Sequence, residues 1–255
     1  MHKFIKIIGQ AITGIILFIV TINLQQSDAQ EIVDVELILA LDCSYSVDDK
    51  EYRLQTYGIA QALRNPEIIR AIRAGPYQSI AISIVQWSNE NSQTLALPWY
   101  RINNEQSAHN LANLVQNLAR QTRPGSTSLS GAIQYSMRAF QQSPYQGIKQ
   151  IIDISGDGRN NNGQDMASVR YAALALGITI NGLPILTDDP TLDFYYKNKV
   201  ITGPGSFVIK AKNYSDYVTA IERKILKEVK YYPIGAAPAE IKSPYKQVAN
   251  ISLAK

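Results

Sequence analysis

From Glu31 onward the apolar positions follow two alternating periods. Val33, Val35, Leu37, Leu39 and Leu41 fall on one side of an extended segment, and Ile38 and Ala40 occupy the other, as in a central strand covered on both faces. Asp48, Asp49 and Glu51 then supply the acidic first turn of a helix with Tyr52, Ile59 and Leu63 on one face. Asn65-Pro66 interrupts it, and a second short helix is predicted to Arg73. After the Gly75-Pro76 turn, residues 80–87 and 94–98 read as strands joined by the polar segment 88–92, which suits a hairpin, so one edge strand is expected to be antiparallel.

The second half continues the alternation. Leu111, Leu114 and Leu118 mark one helix, and Leu129, Ile133, Ser136 and Phe140 the next; residues 148–154 read as a strand. Residues 165–176 are predicted helical, 178–184 and 206–210 extended, and Tyr214, Val218, Ile221, Ile225 and Val229 form the stripe of a final amphipathic helix that Asn213 or Ser215 can cap. The expected fold is therefore α/β: a doubly wound, mostly parallel sheet with one antiparallel edge strand and helices on both faces, with its sites beyond the C-terminal ends of strands.

Both ends fall outside this pattern. Lys3 and Lys6 precede an apolar stretch over residues 12–22, and Ser27 and Ala29 have the spacing a signal peptidase reads, so residues 1–29 are expected to be a signal peptide cut after Ala29. The alternative is an uncleaved anchor, which the stretch disfavours because it is shorter than the roughly 20 residues that span a bilayer; after cleavage no stable membrane insertion is expected. Residues 30–230 form the expected domain. Residues 231–255, with Pro233, Pro238 and Pro244 among small and basic residues, are expected to be a mobile tail.

Composition narrows the chemistry. One Cys and two His in 255 residues exclude zinc clusters, disulfide frameworks and thiol redox pairs. A formal net charge of +4, from 25 basic and 21 acidic residues, is too mild to indicate a nucleic-acid partner. Cys43 ends the first apolar run and reads as a small buried hydrophobe.

Three strand-end segments carry hard oxygen donors. The first strand runs directly into Asp42-Cys43-Ser44-Tyr45-Ser46, a D-x-S-x-S arrangement; Gly125-Ser126-Thr127 precedes the Leu129 helix, and Ser155-Gly156-Asp157-Gly158 ends the next strand. Each alone reads as a routine cap or turn. In this order they point to a small hard cation, Mg²⁺ or Mn²⁺, held by carboxylates, hydroxyls and water.

These residues resemble the metal-ion-dependent adhesion site of von Willebrand factor A domains, over about Val33 to Lys230. The runs from Ile152 to Gly158, Asn160 to Gly163, Ile178 to Pro184 and Gly203 to Val208 further resemble a group of exported bacterial proteins that carry this domain and have no assigned activity. The resemblance implies a metal held by the Ser44, Ser46 and Thr127 hydroxyls, with Asp42 and Asp157 bound directly or through water, and a coordination position left for an Asp or Glu of a protein partner. It implies a periplasmic or secreted binding module.

Rival motifs fail. The glycine spacing of 158–163 matches a phosphate loop, but Gln164 and Asp165 replace the required Lys and Ser or Thr. No G-x-S-x-G occurs, and His109 sits on an amphipathic helix among Asn110, Asn113 and Gln116, the setting of a solvated histidine. No catalytic constellation emerges, so the chain is not expected to be an enzyme, although metal-assisted hydrolysis and a purely architectural ion remain alternatives. The hairpin with Glu90 and the loop with Arg159 and Asn160 are expected to form opposite rims of the metal face, able to contact the partner.

Overall fold

The computed structural model describes residues 30–231; the expected signal peptide and all of the expected tail beyond Tyr231 lie outside them. Within them a five-stranded sheet has the order β3-β2-β1-β4-β5, built from β1 (Glu31–Asp42), β2 (Ile80–Trp87), β3 (Gln93–Ile102), β4 (Tyr145–Gly156) and β5 (Thr179–Pro184). Every pairing is parallel except β2 with β3. This is the α/β sheet with one antiparallel edge that the period changes predict. Strand β3 runs on through Pro98, with a register shift opposite Ile82–Ile84; an edge strand accommodates a residue without an N–H.

Strand β1 is central and covered on both faces, and it also buries Asp34 and Glu36 on the side of Ile38 and Ala40. Its Val35, Leu37, Leu39 and Leu41 pack with α1 (Asp49–Arg64), α2 (Pro66–Arg73), α3 (Glu105–Gln116) and α7 (Tyr214–Val229) through Ile59, Ile72, Leu111 and Ile221. Its Ile38 and Ala40 pack on the other side with Ile133 and Phe140 of α4 (Leu129–Gln141) and Val169 of α5 (Met166–Ala175). Each fully buried aliphatic side chain of this kind contributes about 1.5 to 3 kcal/mol.

The helix starts follow local chemistry. Asp48 and Glu51 form a reciprocal capping box at α1, and Asn213 accepts from Asp216 N at α7. Asn65 ends α1 and caps α2, with Pro66 at its first turn.

Two expectations need correction, and one element is unanticipated. Residues 206–210 do not form a strand; only isolated bridges tie Val208 to Gly182 and Ala211 to Ile185. Leu114 is half exposed, and Leu118 lies past the end of α3 while still packing on the core. Residues 192–200, which carry no sequence prediction, form a short helix α6 (Leu192–Tyr195) that continues into a π-helical turn over Tyr196–Val200. Its apolar residues Leu192, Tyr196 and Val200 are fully buried at four-residue spacing. No helix among the described residues is long and apolar enough to cross a membrane.

Candidate metal centre

Strands β1 and β4 are neighbours and parallel, so their last residues, Asp42 and Gly156, emerge at the same edge of the sheet. Asp42 is fully buried, and its Oδ1 accepts from Ser44 N at 2.7 Å, closing the turn that returns Ser44 and Ser46 to the same point. Ser44 Oγ lies 3.1 Å from Ser46 Oγ, which in turn donates to Asp157 Oδ1 at 2.7 Å. Asp157 Oδ2 accepts from the Tyr214 hydroxyl at 3.1 Å.

Thr127 reaches the cluster from the loop before α4. A Cβ at Gly158 would stand 3.1 Å from Thr127 Oγ1, so the Thr127 side chain lies against the residue that follows Asp157. Tyr45 N donates to Gly125 O at 2.8 Å and Asn161 N to Thr127 O at 2.9 Å, joining the three segments through their backbones. Thus the D-x-S-x-S segment, Thr127 and Asp157 converge. Cys43 lies in the core; burial, then the Asp42 charge, pushes its thiol up to about 12, which makes it inert.

The cluster is short of positive charge. Burial, then the charge of Asp157, pushes Asp42 up to about 7, and burial also raises Asp157 against the donations from Ser46 and Tyr214. Asp42 Oδ2 is buried and accepts no hydrogen bond. Two carboxylates and three hydroxyls suit a hard divalent ion in charge and in donor type, and the unpartnered Oδ2 has a lone pair to offer it as a ligand. Among the described residues no group of three or more His, Cys, Asp or Glu is placed to hold a metal, so hydroxyl oxygens have to complete the ligand set of the two carboxylates here.

The two rims differ from expectation. They are not opposite: Asn162 Oδ1 accepts from Glu90 N at 2.6 Å, so the hairpin and the loop after β4 meet. Arg159 bonds Asp189 at 2.7 Å and Thr191 at 2.8 Å, with its guanidinium over the Tyr195 ring. Asn160 is committed at both ends of its amide, to Ser130 N at 3.0 Å and Gln164 O at 3.3 Å. Sequence reasoning missed Tyr214, which lies 57 residues from its partner Asp157. It also missed Tyr196, whose hydroxyl lies 3.5 Å from Gly156 O and can donate to it.

The family model that fits the chain matches residues 32–232. The chain belongs to the family described as "Protein of unknown function (DUF1194)". No curated protein matches it. Among solved structures, it is similar to proximal thread matrix protein 1 from the mussel byssus, with 14% identity and a TM-score of 0.59 over 78% of this chain and 49% of that one. The chain therefore spans about half the length of that relative. A further structure of the mussel protein, with a TM-score of 0.54 at 14% identity over 77% of this chain and 48% of that one, has a zinc-occupied MIDAS motif. The chain is also similar to a von Willebrand factor type A structure from Catenulispora acidiphila, with 16% identity and a TM-score of 0.54 over 77% of this chain and 43% of that one. The von Willebrand factor domain of a type V pilus tip protein from Porphyromonas gingivalis gives 10% identity and 0.52 over 78% and 97% of the two chains. The DUF1194 chain has the von Willebrand factor A fold.

Proposed function

We propose that this protein is an exported, divalent-metal-dependent binding module that captures an acidic group of a protein partner. The observation that carries the reading is Asp42 Oδ2, buried without a partner beside Ser44, Ser46, Thr127 and Asp157. Burying a carboxylate oxygen unpaired costs several kcal/mol, a cost that a cation offsets. Asp42 and Asp157 supply the two negative charges, and Ser44, Ser46 and Thr127 supply neutral hydroxyl oxygens. When bound, Mg²⁺ or Mn²⁺ supplies positive charge at a surface position where a partner carboxylate is attracted. The zinc-occupied motif of the mussel protein and the pilus-tip relative support the reading by analogy of fold.

Glu90 and Arg159 are exposed and are proposed to contact the partner at the margin of this face, whereas Asn160 acts within the chain. Export rests on the residue pattern of 1–29. The test is capture of proteins from an extracytoplasmic extract on the immobilised protein, with Mg²⁺ and with a chelator. A partner retained only with Mg²⁺, while circular dichroism is the same in both conditions, is the expected result. Identical retention in both conditions would remove the metal from recognition.

A further inference from the structure

The run Asn160-Asn161-Asn162 reads in the sequence as a polar turn able to donate to a partner. In the structure its side-chain oxygens face inward as acceptors. Asn160 Oδ1 accepts from Ser130 N at 3.0 Å, Asn161 Oδ1 from Thr127 N at 2.9 Å and Asn162 Oδ1 from Glu90 N at 2.6 Å. Each amide thus holds a different place: the first turn of α4, the loop before it, and the β2–β3 hairpin. N–H groups at the start of a helix lack intrahelical partners, and Ser128 Oγ satisfies only that of Gly131. Asn160 satisfies a further one.

Asn161 is the central member. It binds Thr127 twice, taking the N–H with its side chain and giving its own N–H to the Thr127 carbonyl at 2.9 Å. Thr127 is buried, and its side chain lies against Gly158. Thr127 itself stands outside α4, which begins at Leu129 with Ser128 as its cap.

We propose that Asn161 is a positioning residue for the metal centre: its reciprocal pair with Thr127 sets where the Thr127 hydroxyl stands relative to Asp42 and Asp157. This rests on the metal-binding reading above. It assigns the polar run a role inside the site. Groups that orient metal ligands commonly change affinity by about ten- to a hundredfold when removed.

The test is calorimetric Mg²⁺ titration of the wild type, Asn161→Ala, Asn161→Asp and Asn160→Ala, with thermal melting of each in chelator. Asn161→Ala is expected to weaken Mg²⁺ binding about tenfold or more. Asn161→Asp, which keeps the acceptor oxygen, is expected to restore binding. Asn160→Ala is expected to lower the melting temperature while leaving the Mg²⁺ affinity at the wild-type value. Wild-type affinity in Asn161→Ala, or equal weakening by Asn160→Ala, would overturn the positioning role while leaving the metal centre standing. A wild type that takes up no Mg²⁺ would overturn the metal centre and the positioning role together.

Discussion

Tyr214, the first residue of α7, donates its hydroxyl to Asp157 Oδ2 at 3.1 Å, which fastens the last helix to the end of β4. The tyrosine is 3% exposed, so its ring fills space that phenylalanine would fill equally. Tyr214→Phe therefore removes one hydrogen bond to a buried acid and nothing else. A loss of about 1.5 to 3 kcal/mol is expected in urea unfolding of the chelated protein. An unchanged unfolding midpoint would show that water replaces the hydroxyl.

Gly156 is kept small by its surroundings. An added Cβ would meet Asp42 Oδ2 at 2.7 Å, the Tyr196 hydroxyl at 3.1 Å and Trp87 Cζ2 at 3.2 Å. Gly156→Ala is expected to cost about 1 to 3 kcal/mol in stability and to weaken divalent binding, because Asp42 is the atom group it displaces. Wild-type stability together with wild-type Mn²⁺ affinity would contradict the close approach.

A second buried charge cluster predicts a pH dependence. Lys224 of α7 lies 2.8 Å from Asp153 Oδ1 and 2.7 Å from Glu228 Oε1, and Asn181 of β5 donates to Glu228 at 2.9 Å; the Phe207 ring, 5.5 Å from Lys224, closes the group. Burial, then the charge of Asp153, pushes Glu228 up to about 8. The unfolded chain releases that proton near pH 4.3. Between these values the folded chain holds more protons than the unfolded one, so stability falls as pH rises from about 4.5 to 8 and levels off above. Burial raises Asp153 as well, with the same sign. Glu228→Gln, which keeps the acceptor for Lys224, is expected to flatten the slope in this window without abolishing it. Equal slopes in urea unfolding across pH would exclude Glu228 as the group responsible.

The sheet was legible because buried parallel strands are unbroken apolar runs, and because Asp42, Thr127 and Asp157 each follow directly on such a run or precede a helix. Period alone could not find residues 192–200, where Leu192, Tyr196 and Val200 are spaced for a helix but surrounded by Asp, Lys and Asn within a stretch too short to show a stripe. Nor could it place Tyr214 on Asp157, or Asn161 on Thr127, since those pairs depend on which loops the sheet order brings together. The Asn run looked like a surface turn because its composition is that of a turn; its oxygens point inward only because three neighbouring segments present unpaired N–H groups to it.

The most direct test of the account is calorimetric titration of the purified protein with Mn²⁺, beside Asp157→Ala and Thr127→Ala. The wild type is expected to show saturable binding at one site and a rise in melting temperature that follows occupancy. Asp157→Ala is expected to lose both, and Thr127→Ala to bind more weakly. A wild type with no binding heat and an unshifted melting curve, or an Asp157→Ala protein that binds as the wild type does, would contradict the assignment of this cluster as a metal centre.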